Sequence, residues 1–271
     1  MDLPVPWVVM WGLSFLIWAG YKASTVAALT PAERRSNPRR LLGYLFGWPG
    51  MNAREFVLGV GPSRPWAASR LLWILVRVLL GVAAVWWWAP ALETTSVVLA
   101  GWVGMLGILL LLHFGTFDLL AEAWVRLGVL APPLMDSPTR SVNLAEFWGR
   151  RWNRGFHDVA RLWCFDPVSR RWGASAGATA VFLVSGLVHD LVITVPAGAG
   201  YGGPTAYFLL QAVGMMVQRR RGMRRAGWDR GFRGWLVTAL VALVPVGLLF
   251  PRAFAVRVVV PFVRWLNGEG Y

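Results

Sequence analysis

From Thr94 to Leu112 the chain runs without a single ionisable side chain. A helix needs about 20 mostly apolar residues to cross the hydrocarbon of a bilayer. Inside lipid the backbone must satisfy its own hydrogen bonds, so a run of this kind reads as α-helix and little else. The span expected here covers about Thr95 to Leu120 and carries His113 and Asp118 near its end. Further spans are expected at about Pro6–Leu29, Leu71–Ala89, Ala174–Pro196, Pro204–Val217 and Trp235–Phe250, with Pro245 kinking the last of these. A seventh helix, about Phe254–Leu266, contains Arg257 and Arg264 and is therefore short or interfacial. Lys22, in the first span, is expected to snorkel to the interface. Arg77, in the second, either snorkels or faces the bundle.

Composition agrees with a membrane reading. The chain is 56% hydrophobic and only 15% charged, whereas soluble domains are about a quarter charged. Its 18 tryptophans often stand beside basic residues or at the ends of apolar runs, as Trp86 to Trp88 do, which is the pattern of interfacial aromatic belts. The net charge is +14, from 27 basic and 13 acidic residues, and Lys22 is the sole lysine. So basic a chain raises the question of nucleic acid, but the arginines cluster between apolar segments instead of on a soluble domain. Arginine in short loops marks the cytoplasmic side. Loops 30–65, 121–173 and 218–233 are basic and alternate with charge-poor loops near Glu93 and Gly198–Gly203. This places the basic loops in the cytoplasm and the N-terminus outside it, in a multi-pass protein of a bacterial cytoplasmic membrane. No cleavable leader is expected, so the first apolar segment is retained as a helix. Cys164 is the single cysteine, and the three histidines are widely spaced, which excludes an intrachain disulfide and gives no metal-ligand pattern.

Two stretches depart from this apolar background. The segment Ala145–Phe165 mixes Trp148, Trp152, Phe156 and Trp163 with Arg150, Arg151, Arg154 and Arg161, and reads as a helix lying in the interface or re-entering the membrane. On such a helix Asn153 shares a face with Gly149 and His157. The second is His189, about 20 Å along the axis of its span at the usual helical rise. An ionisable group so deep in a membrane chain is a functional candidate. It is equally readable as a histidine satisfied by a backbone or hydroxyl partner. Asp190 follows in sequence but projects about 100° away, so it is not assumed to orient His189. Asn153 by itself reads as a surface residue of an interfacial helix. Arg150, Arg151 and Arg154 suit phosphates, of lipid headgroups or of a nucleotide-like ligand. His113 and His157 lie near expected interfaces, and Asp118 either pairs with an arginine or lines a cavity.

The ordered set Arg40-Leu41-Leu42-Gly43-Tyr44-Leu45-Phe46-Gly47-Trp48-Pro49-Gly50-Met51, Leu112-His113-Phe114-Gly115, Pro133-Leu134, Ser141 to Asn153 and Ser185-Gly186-Leu187-Val188-His189 resembles the membrane-bound O-acyltransferase superfamily, most closely its wax synthase branch. The resemblance implies an all-α polytopic bundle around a transmembrane tunnel, here with about seven helices plus interfacial helices, and a single membrane domain over residues 1–271. It implies His189 as the catalytic histidine and Asn153 as the polar residue of the aromatic-rich motif. Trp148, Arg150, Arg151, Trp152 and Arg154 would then bind substrate. The implied reaction moves a fatty acyl group from acyl-CoA, a co-substrate entering from the cytoplasmic side, to the hydroxyl of a lipophilic alcohol from the lipid. The alternative acceptor is a sterol, glycerolipid or secondary-metabolite hydroxyl. No metal or other cofactor is implied, and the partners are acyl-CoA, the alcohol and membrane lipid. Two other classes compete. A transporter would also use polar residues in broken spans, although the chain shows no internal repeat. A non-catalytic scaffold would tolerate replacement of His189.

Overall fold

The computed structural model describes residues 5–61 and 67–269, and these are all-α apart from an isolated bridge between Val60 and Val129. Among the described residues four helices are long and apolar enough to cross a membrane: Ala68–Glu93, Val97–Arg126, Arg154–Ala197 and Gly231–Leu249. The chain is thus an all-α, polytopic membrane protein. In chain order the principal helices are α1 (Pro6–Ala27), α2 (Pro31–Ser36), α3 (Pro38–Gly47), α4 (Ala53–Leu58), α5 (Ala68–Glu93), α6 (Val97–Arg126), α7 (Arg154–Ala197), α8 (Gly203–Gln218), α9 (Gly231–Leu249) and α10 (252–266). At 16 residues, α8 is about 24 Å long at 1.5 Å per residue, short of the hydrocarbon thickness of about 30 Å.

The basic stretch expected to be loop is partly helical. Thr30 and Glu33 form a reciprocal capping box that starts α2, and the Asn37 and Asn52 side chains accept from the N–H groups of Arg40 and Glu55 to start α3 and α4. Each cap satisfies an N-terminal donor that the helix itself leaves unpaired. Arg64 and Pro65, in the same expected loop, lie outside the described residues.

The described residues fall into two compact units. One comprises residues 5–14, Asp136–Asn153 and Ala160–Phe262, and contains His189. The other comprises Phe15–Met135, Arg154–Val159 and residues 263–269. In this second unit Tyr44, Trp48, Phe56, Ala121 and Leu134 form a buried cluster, against which Trp124 and Phe117 pack. Phe56 meets Trp124 edge-on at 5.0 Å, and the Trp124 indole donates to Gly47 O at 2.9 Å.

Lys22 corrects an expectation. It does not snorkel: only 3% of it is exposed. Its ammonium donates to Tyr44 O at 2.7 Å and Gly50 O at 2.8 Å, and it sits 3.3 Å from the centroid of the Tyr44 ring. Backbone carbonyls at and beyond the end of α3 lack helical partners, and an ammonium with three donors can gather them. Thr25 donates its hydroxyl proton to Lys22 O at 2.9 Å, so the Tyr44 phenol is the donor in their 2.7 Å contact. Burial pushes the Tyr44 phenol up to about 12, which keeps it a neutral donor.

Helices α5 and α6 approach closely through glycine. A Cβ on Gly107 would lie 2.9 Å from Ala84 Cβ and 3.0 Å from Gly81 O. Small residues let backbones pack directly where lipid offers no hydrophobic drive for association. The same pair holds Arg77, whose guanidinium donates to Asp118 at 2.7 Å and to Phe114 O at 3.1 Å. Of the two readings for Arg77, the structure therefore supports inward pairing.

Two outcomes follow for unfolding measured by chaotrope titration in detergent micelles. Gly107→Leu should lose about 1–3 kcal/mol through overpacking, whereas Gly20→Ala, with open space around it, should be neutral or gain up to about 1 kcal/mol. Arg77→Leu should lose about 3 kcal/mol by stranding buried Asp118, and adding Asp118→Leu should recover most of that loss.

Candidate functional site

The His189-containing unit builds its site from three pieces. The first is the turn entered at Asn143, whose side chain accepts from Glu146 N–H at 2.8 Å and starts a short helix. From Phe147 to Arg151 the backbone widens into a π-turn, a rare device often found at functional sites. Glu146 holds it in place, accepting from Val142 N–H at 3.0 Å and pairing with Arg151 at 2.7 Å. Burial raises the Glu146 carboxyl, but those donors outweigh it and hold it below the ordinary range. Arg151 also donates to Asp136 O at 3.1 Å, and its own carbonyl accepts from Asp136 N–H at 2.8 Å.

Here the structure corrects the reading of Ala145–Phe165 as one interfacial helix. The helix breaks at Trp152–Asn153 and a new one begins at Arg154. Asn153 has φ of +46°, a left-handed backbone conformation that interrupts the helical ladder and that asparagine tolerates better than most residues. Asn153 therefore does not continue a helical face with Gly149 and His157; it sits exposed at the break.

The second piece is aromatic. Trp148 meets Phe182 of α7 at 5.8 Å and Phe208 of α8 at 5.5 Å, and Phe147 stacks on Trp152 at 5.6 Å. The Trp148 indole N–H donates to Gln211 Oε1 at 3.3 Å, while Gln211 Nε2 donates to Val241 O at 2.8 Å. Gln211 is fully buried, and both ends of its amide are used.

The third piece is His189. Its Nδ1 lies 2.7 Å from Ser185 O. A carbonyl only accepts, so Nδ1 carries the proton and Nε2 is left as the basic nitrogen. The imidazole lies 4.6 Å from the Phe208 ring. Phe208 thus touches both His189 and Trp148, and it is the contact that brings the two predicted residues to one place. Asp190 has a separate task. Its carboxylate accepts from Gly202 N–H at 2.8 Å, from Thr205 N–H at 3.1 Å and from the hydroxyls of Thr194 and Thr205, tying the end of α7 to the start of α8. It does not orient His189.

The remaining predicted residues are dispersed. Arg150 is exposed, and Arg154 belongs to the other unit, where its N–H donates to Leu134 O at 2.9 Å. In that unit His113 Nδ1 is buried without a hydrogen-bond partner, and its ring lies edge-on to Phe117 at 5.2 Å. His157 sits beside Asp158 at 3.6 Å. Among the described residues no group of three or more His, Cys, Asp or Glu is placed to hold a metal. Sequence reasoning missed Gln211 and Phe208. The signal for Gln211 was present, as an amide inside the apolar run Ala206–Val217.

A polytopic helical protein with an imidazole inside an aromatic cluster is the class that the fold and this geometry define. Residues 131–210, which carry both Trp148 and His189, match the sequence pattern described as "Membrane bound O-acyl transferase family". Over that stretch the chain is similar to the membrane-bound O-acyltransferase superfamily. Among similar proteins, "Probable long-chain-alcohol O-fatty-acyltransferase 9" of Arabidopsis thaliana is 31% identical over 139 residues, covering 46% of this chain and 41% of that protein. "Long-chain-alcohol O-fatty-acyltransferase" of Simmondsia chinensis is 33% identical over 101 residues, or 32% of this chain and 29% of that protein. The matched stretch is thus well under half the length of either relative.

The left-handed Asn153 makes a separable prediction. Asn153→Gly should fold as the parent does, while Asn153→Val should lose about 1–2 kcal/mol because a β-branched residue resists that conformation. Unfolding midpoints of the two purified variants would check this.

Proposed function

We propose that this protein is an acyl-CoA-dependent O-acyltransferase of the wax synthase kind, joining a fatty acyl group to the hydroxyl of a lipophilic alcohol. The observation that carries this reading is the 2.7 Å contact of His189 Nδ1 with Ser185 O, which assigns the proton to Nδ1 and leaves Nε2 to act as base. The similarity to long-chain-alcohol acyltransferases supports the choice of substrates.

An alcohol is a weak nucleophile near neutral pH and needs a base within hydrogen-bond reach. His189 Nε2 takes the hydroxyl proton as the alcohol oxygen attacks the thioester carbonyl. The carbon–sulfur bond then breaks, and the imidazolium returns the proton to the departing thiolate. The products are the ester and free CoA. No nucleophilic serine or cysteine is needed: Ser185 supplies its carbonyl to the imidazole. Asn153 orients the donor through its amide. Trp148 and Trp152 shape the acyl path and Arg150 attracts phosphates, whereas Arg151 acts by holding the turn through Glu146.

In this reading residues 1–271 serve as one membrane domain with about seven helices around a tunnel. The basic loops face the cytoplasm of a bacterial inner membrane. Acyl-CoA reaches the site from water and the alcohol from lipid, and an enclosed site keeps water from hydrolysing the thioester. The long-chain alcohol is the preferred acceptor; a sterol, glycerolipid or secondary-metabolite hydroxyl is the alternative within the same chemistry.

Purified protein incubated with labelled long-chain acyl-CoA and a panel of alcohols should form ester. His189→Ala should lower the rate by about 100-fold or more, the usual contribution of a positioned base. Undiminished ester formation by a correctly folded His189→Ala protein would sink the mechanism.

A further inference from the structure

A cavity of about 350 Å³ opens in the His189-containing unit, lined by Asn143, Met215, Gln218, Arg219, Arg224 and Asp229 among others. Its walls are fastened before any ligand arrives. Gln218, only 3% exposed, accepts from Leu144 N–H at 2.8 Å and donates to Trp228 O at 2.8 Å. Asn143 donates to Asp229 O at 3.3 Å. One amide thus joins the end of α8 to both facing segments, and a second joins those segments to each other. Arg219 and Arg224 are exposed at the cavity, with Arg220, Arg221 and Arg225 alongside them in sequence. Among the described residues the lining holds a single carboxylate, Asp229, at 3.4 Å from Arg224. The site is therefore a preformed cleft of net positive charge, in the size range of small-molecule pockets.

We infer that this cleft binds the phosphate-bearing nucleotide end of the thioester donor, through Arg219 and Arg224. The inference rests on the acyl-CoA reading above and gives the donor a place that Arg151, occupied with Glu146, does not. Register along α8 supports it. Gln218, Met215, Gln211 and Phe208 recur at steps of three and four, so they share one face of the helix. Phe208 touches His189 at the far end of that face. From Arg219 to Phe208 is about 16 Å along the axis at 1.5 Å per residue. The pantetheine arm places about 13 bonds between phosphorus and sulfur; at the advance of an extended peptide, three bonds per 3.3–3.6 Å, it reaches about 15 Å. Phosphates in the cleft would bring the thioester to the level of His189. Guanidinium forks match phosphate oxygens in a way a single ammonium does not.

Binding of CoA, adenosine 3′,5′-bisphosphate and pantetheine would be measured by calorimetry on full-length protein in phosphatidylcholine nanodiscs, without an acceptor alcohol. The two phosphate-bearing ligands should bind and pantetheine should not. Arg219→Ala and Arg224→Ala should each weaken nucleotide binding about tenfold, as expected on losing a charge-assisted hydrogen bond. Arg35→Ala with Arg39→Ala removes the same total charge elsewhere and should leave affinity within about twofold at 0.15 M salt. Asp229→Asn should tighten binding, an increase that damage to the fold would not produce. Equal CoA affinity in the parent and the Arg219/Arg224 double variant overturns the inference. So does an arginine-dependent signal that appears only with phosphatidylglycerol discs, because the cleft would then read lipid headgroups. Ester formation that fails while arginine-dependent nucleotide binding persists counts against the acyltransferase reading and not against the cleft.

Discussion

A polar group buried among packed side chains must bring its partner with it, and this requirement organises much of the molecule. From within α1, Lys22 extends its ammonium to the carbonyls of Tyr44 and Gly50, and in doing so fixes the loop that follows α3. Arg77 meets Asp118 between α5 and α6. Asp190 gathers two backbone N–H groups and two hydroxyls, which sets how α7 turns into α8. Gln211 spends its amide on the Trp148 indole and on Val241 O. Each of these residues would be costly alone, and each fixes a local geometry by being satisfied.

His189 follows the same rule on one nitrogen. Ser185 O takes the Nδ1 proton, so Nε2 keeps the lone pair on which the proposed reaction depends. The partner is a neutral carbonyl on the preceding helical turn, and the neighbouring carboxylate of Asp190 is bound elsewhere. In the proposed mechanism the charged imidazolium therefore exists only between taking the alcohol proton and returning it to the thiolate. This suits a direct transfer, in which that interval is brief. Phe208 packs on the ring and, through Trp148, ties its position to the turn that Glu146 and Arg151 hold.

The long helices were legible because their signal is local. The apolar run after Glu93 and the periodic stretch around His189 each announce a helix within 20 or so residues. The break at Asn153 was not legible. The residues from Ala145 to Phe165 are amphipathic enough to suggest one continuous helix, and asparagine occurs in helices as well as at left-handed positions. Nor could sequence tell that Lys22 turns inward. Both outcomes depend on carbonyls and side chains brought close by folding from distant positions, such as Gly50 for Lys22.

By itself, then, the sequence determined that this chain is helical and spans a membrane. It singled out His189 and the Phe147–Asn153 motif as the segments to watch. These follow from transfer free energy and residue type, which need no knowledge of neighbours. Only the tertiary structure decided which nitrogen of His189 carries the proton, that Phe208 brings Trp148 and His189 together, and that Arg151 is committed to Glu146 while Arg219 and Arg224 line an open cleft. Those facts rest on partners from 4 to about 80 residues apart, and hydrogen-bond geometry acts over about 3 Å of space, whatever the distance along the chain.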